Sequence, residues 1–140
     1  MTMRYVDSNV FIYPVVADAR TDRKAALAKK ILVKIAEGDL KASTSSLTWD
    51  ELVWVIRKFL GKDSAISEGS KFLKFPNLQV LDVSQSTITN SQTIMENYSA
   101  KPRDSIHAAC ALENGIKEII TDDPEFDRIK EIKRIKLEMI

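Results

Sequence analysis

Met3-Arg4-Tyr5-Val6-Asp7-Ser8-Asn9-Val10 opens the chain with a short β-type run that stops at a carboxylate. An apolar stretch from Asn9 to Val16 follows, and then a polar one from Asp18 to Asp22. Asp22 is a plausible N-cap for a helix over Arg23 to Glu37, in which Ala26, Leu27, Ile31, Val33 and Ile35 recur at helical spacing and Gly38 is a natural stop. Downstream the pattern repeats. Leu40 to Thr44 reads as a strand, Ser45 to Leu60 as a helix closed by Gly61, and Asp63 to Leu73 as another helix. After the Pro76-Asn77 turn come a buried strand, Leu78 to Val83, and a polar-faced helix, Ser84 to about Asn97. Lys101-Pro102-Arg103 opens a helix over Asp104 to Asn114, ended by Gly115. Lys117 to Thr121 is a strand, Asp122-Asp123-Pro124 starts a short helix to about Ile129, and Ile135 to Met139 is expected as a last strand. Strands alternating with helices predict an α/β fold with a mostly parallel sheet and helices on both faces.

The chain has 140 residues, which suits one domain over residues 1–140. Composition is that of a globular protein, 44% hydrophobic and 29% charged, and it excludes wholesale disorder. The one cysteine, Cys110, can form neither an internal disulfide nor a multi-thiolate metal site, and it falls in an Ala-rich helical segment as packed core. No apolar run approaches the length of a membrane span, and the N-terminus lacks a signal-peptide core, so no membrane partner and a cytoplasmic location are expected. With 21 basic and 20 acidic residues, the chain has no overall basic footprint. A nucleic-acid substrate would need a local patch.

Four carboxylates stand out by position. Asp7 ends the first strand, Glu51 lies in the first turns of a helix, Asp104 lies in the first turn of another, and Asp123 follows the Ile119-Ile120-Thr121 strand. In an open parallel sheet, strand C-terminal ends and the helix N-termini after them share one edge, where ligand sites form. Four ionised carboxylates crowded there need a counter-charge. Oxygen donors favour a hard divalent ion, Mg²⁺ or Mn²⁺, one or two of them. Zinc is disfavoured by a single His and a single Cys. The chemistry that suits such a site is metal-assisted phosphodiester hydrolysis.

The sequence resembles the PIN domains, and more narrowly the small stand-alone VapC-type ribonuclease toxins, over nearly its whole length. Tyr5-Val6-Asp7-Ser8-Asn9-Val10 resembles the family's opening motif. Arg103-Asp104-Ser105-Ile106-His107-Ala108-Ala109, with Ala111 and Leu112, resembles its third motif, and Gly115 to Phe126 resembles its closing Thr-x-Asp-x-x-Phe pattern. The second motif is a lone helical Glu, here Glu51. The resemblance implies a three-layer α/β/α sandwich on a five-stranded sheet, and a Mg²⁺- or Mn²⁺-dependent endoribonuclease leaving 5′-phosphate and 3′-hydroxyl ends. It further implies a homodimer and a small antitoxin that blocks the acidic edge, with an Arg inserted among the carboxylates. By motif, Asp7, Glu51, Asp104 and Asp123 would be the catalytic and metal-binding acids, supported by Ser8, Asn9 and Thr121. Two registers stay open, Asp50 against Glu51 and Asp122 against Asp123. Helical spacing one turn before Val55 favours Glu51, and the closing motif favours Asp123, leaving Asp122 as a cap.

The remaining candidates are weaker. His107, three residues after Asp104, can face the site but is expected to be structural, since a metal-dependent reaction needs no histidine base. Trp49 and Trp54 flank Glu51 and are expected in core or interface packing rather than against a base, as are Phe11 and Tyr13. Arg57, Lys58, Lys62, Lys101 and Arg103 are the basic residues nearest the motifs and are candidates for phosphate contact. The helices over Asp63–Leu73 and Ser84–Asn97 are candidate dimer elements. The principal rival is a catalytically idle PIN fold acting as an RNA-binding or protein scaffold, which loss of an acid would signal; here all four positions are filled. A haloacid-dehalogenase-type phosphatase needs Asp-x-Asp, whereas Ser8-Asn9 follow Asp7, and no P-loop is present.

Overall fold

Each element is built by local chemistry visible in the chain, and a computed structural model describes all residues 1–140. In order they are β1 (Arg4–Val6), α1 (Ser8–Val16), α2 (Arg23–Ala36), β2 (Ala42–Ser45), α3 (Ser46–Leu60), α4 (Lys62–Leu73), β3 (Leu78–Leu81), α5 (Gln85–Tyr98), α6 (Pro102–Glu113), β4 (Glu118–Ile120) and β5 (Lys133–Ile135). Two 3₁₀ turns, Pro124–Arg128 and Leu137–Met139, flank β5. The five strands pair in the order β3-β2-β1-β4-β5, and every pair is parallel.

β1 is the middle strand, and its residues alternate between two cores, as the pleat requires. Val6, with Ile120 and Ile135, packs toward Val10, Phe11, Ile31 and Ile56 of α1, α2 and α3. Tyr5 and Ile119 point the other way, toward Ile94 of α5 and Ala108 and Ala109 of α6. The sheet thus lies between helices on both faces, as expected from the alternation. The α3–α4 corner is made by one residue, Gly61, whose φ of 91° is a conformation that side chains disfavour.

Strand boundaries differ from the sequence reading, most clearly at β2, β3 and β5. Leu40 belongs to the close of α2, where its N–H donates to Lys34 O, so β2 starts at Ala42. β3 stops at Leu81, not Val83, because Leu81 pairs with Ser45 and α3 begins at the next residue. β5 is Lys133–Ile135 rather than Ile135–Met139: Ile135 pairs with Ile120, the last residue of β4, and the chain then turns into 3₁₀ geometry. The apolar stretch from Asn9 to Val16 is helical, although Pro14 inside it removes one helical N–H.

Candidate active site

Asp7 stands where β1 becomes α1, and it caps that helix. Its Oδ1 accepts the Ser8 N–H at 2.7 Å, while Oδ2 accepts Thr121 Oγ1–H at 2.7 Å and Asn9 Nδ2–H at 3.1 Å. Its own N–H donates to Ile120 O at 3.0 Å. Asn9 Nδ2 also reaches Thr121 Oγ1 at 3.1 Å, and that oxygen accepts the Asp123 N–H at 3.0 Å. Ser8, Asn9 and Thr121 therefore surround Asp7 as the sequence reading expected, and the ends of β1 and β4 are tied through one carboxylate. Burial raises the Asp7 carboxyl above its ordinary range, opposed by His107 and the Thr121 hydroxyl.

His107 is the residue whose importance the sequence reading understated. It is fully buried on α6, and its Nε2 meets Glu51 Oε1 in a hydrogen bond and lies 3.5 Å from Asp7 Oδ1. Its Nδ1 is 2.6 Å from the Tyr5 hydroxyl, which donates to Ser45 Oγ at 2.7 Å. That pattern assigns a proton to both ring nitrogens. Burial opposes the charge, but the Glu51 hydrogen bond and the fields of Asp7, Glu51 and Asp104 outweigh it and raise the His107 pKa. Ligand atoms of Asp7, Glu51 and His107 all fall within 4.8 Å of one another. The only advance signal was the helical offset of three between Asp104 and His107; the partners Glu51 and Tyr5 are distant in sequence.

Asp104 lies in the first turn of α6, and its Oδ2 is buried with no hydrogen-bond partner. Burial, and then the nearby charges of Asp123 and Asp7, push its carboxyl up to about 7, against the relief given by His107 and Lys101. Asp123 accepts the Glu125 N–H at 2.9 Å and caps the 3₁₀ turn after β4. Its neighbour Asp122 is turned away, accepting from Tyr13 Oη at 2.8 Å and pairing with Lys24 Nζ at 2.8 Å. Burial notwithstanding, those two partners hold Asp122 below the usual carboxylate range. Asp50 is exposed, whereas Glu51 is in the cluster. Of the basic candidates, Arg103 borders Glu51, and Lys101 acts on Asp104. Arg57 and Lys58 sit exposed toward the far end of α3, and Lys62, also exposed, opens α4.

Asp7, Glu51 and Asp104 act on one buried cation, His107, Asp123 acts on Asp104, and the Asp104 oxygen is unpartnered. This oxygen-rich, charge-deficient donor set fits a hard divalent ion better than it fits a closed polar network.

A family model described as the PIN domain matches residues 4–132, and the chain belongs to that family. No curated protein matches it in sequence. Solved structures of similar fold include VapBC2 from Rickettsia felis bound to a promoter DNA fragment, with a TM-score of 0.71, 17% identity, and coverage of 96% of this chain and 98% of that one. VapC20 from Mycobacterium tuberculosis, described as a sarcin-ricin loop cleaving toxin, gives a TM-score of 0.71 at 14% identity, over 94% and 99% of the two chains. DNA-bound VapBC from Salmonella typhimurium gives 0.70 at 19% identity, over 98% and 99%. At these identities the likeness is one of fold.

Proposed function

We propose that this protein is a Mg²⁺- or Mn²⁺-dependent endoribonuclease and the toxin of a toxin–antitoxin pair. One observation supports the reading: Asp7 and Glu51 cluster around His107, and the charges of Asp123 and Asp7 bear on Asp104, whose buried oxygen nothing in the chain satisfies. Asp7, Asp104, Glu51 and Asp123 would hold one or two ions. A cation bound there would neutralise charge on the scissile phosphate and acidify water beside it.

The chain's own residues set the stage. Ser8 N–H, Asn9 and Thr121 fix both Asp7 oxygens, so its remaining lone pairs have one direction. His107 holds Glu51 through Nε2–H, and Tyr5 and Ser45 fix the ring from behind. Asp104 must release its proton to act as a ligand, which a divalent cation favours. Lys101 and Arg103 stand at the mouth of the site, where they would contact the RNA backbone. A small antitoxin covering this edge, a homodimer, a cytoplasmic setting and one folding unit over residues 1–140 belong to the same reading. No helix is long and apolar enough to cross a membrane.

One observation favours the rival, an idle RNA-binding or interaction scaffold: His107 bridges Glu51 and Asp7 and so gives both carboxylates a counter-charge from within the chain. A cleavage assay separates the two. Purified protein is expected to cut RNA with Mg²⁺ or Mn²⁺, leaving 5′-phosphate ends, and to stop in EDTA. Asp104→Asn is expected to lower the rate at least about a hundredfold, the size of losing a charge ligand worth several kcal/mol. Absence of both cleavage and metal binding would leave the scaffold.

A further inference from the structure

Trp54 is 57% exposed, although it stands on α3 one turn beyond Glu51. The other tryptophan of this helix behaves differently. Trp49 leans on α4, so close that a Cβ at Gly69 would lie 3.0 Å from its Nε1 and 3.0 Å from Val53 Cγ2. At 100° per residue, Trp54 points about 100° from Val53 and about 140° from Trp49, away from the helix–helix contact. Contact with α4 therefore engages one edge of Trp49, which is still 40% exposed, and leaves Trp54 outside that contact.

Trp54 has apolar neighbours, Ile12 and Val55, together with an acid and cations. A recess of about 100 Å³ is lined by Ile12, Glu51, Trp54, Val55 and Arg103, so the indole adjoins the acid cluster through Glu51 itself. Arg103 forms no ion pair within the chain. Lys58 Nζ stands 5.1 Å from the Trp54 ring centroid, and it too has no carboxylate partner. Glu51, Trp54 and Lys58 follow one helical stripe at offsets of three and seven residues. With a rise of 1.5 Å per residue, Trp54 lies about 4.5 Å and Lys58 about 10.5 Å beyond Glu51 along the axis. A flat π surface that shares a recess with Glu51, flanked by free cations, has the composition of a single-stranded nucleic-acid platform.

We propose that Trp54 stacks an unpaired RNA base beside the scissile phosphate, with Arg103 and Lys58 on the adjoining phosphates. The proposal rests on the ribonuclease reading above and deepens it by naming the side chain that meets a base. Stacking on indole is tolerant of base identity, so Trp54 sets strandedness and register rather than sequence.

The test is binding of an end-labelled, randomised 12-nucleotide single-stranded RNA in EDTA, read by fluorescence anisotropy. Trp54→Ala is expected to weaken binding about tenfold and Trp54→Phe to stay within about threefold of the natural protein. In Trp49→Phe, where Trp54 is the only indole, single-stranded RNA is expected to quench the emission and a duplex of equal length is not. Unchanged affinity in Trp54→Ala, or unquenched emission in Trp49→Phe at saturating RNA, overturns the proposal. If the natural protein binds and cuts RNA while either of those results holds, the stacking role alone falls. If it neither binds nor cuts RNA, both readings fall. Binding without cleavage that is lost in Trp54→Ala upholds the platform and removes the nuclease.

Discussion

Asp104 carries the sharpest consequence at the scale of one residue. Its carboxyl, near 7 when folded, has an ordinary value of about 3.9 in an unfolded chain. Between those values the folded protein retains a proton that the unfolded chain has lost. Without divalent cation, stability is therefore greatest at the acid end of the window and falls as pH rises from about 4 through about 7. Asp7 and His107, both raised on folding, act in the same direction. A series of melting temperatures in EDTA from pH 5 to 8 is expected to decline, and Mg²⁺ or Asp104→Asn to flatten the decline; a pH-independent series would refute the charge crowding. Catalysis runs the opposite way, since ligands must be ionised. Cleavage in Mg²⁺ is expected to fail toward acid, and a rate unchanged down to about pH 4 would contradict carboxylate ligands. The acids were legible because each follows a strand or opens a helix. The role of His107 was not, because its charge comes from Glu51 and Asp7, contacts that no local pattern encodes.

Among elements, α6 matters most, since it carries both Asp104 and His107. Its far end is fastened to α5 by Glu113, whose Oε2 accepts Thr87 Oγ1–H at 2.8 Å and whose Oε1 accepts Asn90 Nδ2–H at 2.8 Å. Thr87 is buried and also completes the capping box of α5 with Ser84. Thr87→Val keeps the shape and deletes both roles, at a cost of about 1–2 kcal/mol. A melting temperature several degrees lower, with cleavage per folded molecule preserved, is the expected result. A loss of cleavage larger than the loss of fold would show that α5 also positions the site. The helices were readable from apolar spacing and caps such as Asp22, whose side chain accepts the Ala25 N–H at 2.8 Å. The short strands were read less well. Where β3 and β5 end is decided by Ser45 and Ile120 on neighbouring strands, so the run Ile135 to Met139 could look like a strand and yet leave the sheet after one residue.

At the scale of the molecule, the parallel order β3-β2-β1-β4-β5 brings residues from both ends of the chain to one edge. The alternation of strands and helices was enough to foresee a doubly covered sheet, and the motif spacing singled out Asp7 and Glu51, which the fold brings together with His107. Neither could foresee that Trp49 would lean on α4 while Trp54 stays clear of it, because that depends on where α4 lies, and Gly69 lets it lie against Trp49.

The central strand also fixes a timetable. β1 meets β2 early, but its other neighbour is β4, and the Thr121 hydroxyl that holds Asp7 lies 114 residues further along the chain. During synthesis the N-terminal part emerges seconds before the last strands, at about 5–20 residues per second. Until then Asp7 lacks Thr121, Asp123 does not exist, and one side of β1 is open. If the protein cuts RNA as proposed, this order leaves its site incomplete until the final strands are released. A chain ended after Ile116 is expected to show no cleavage in the same assay, even if α1–α6 form.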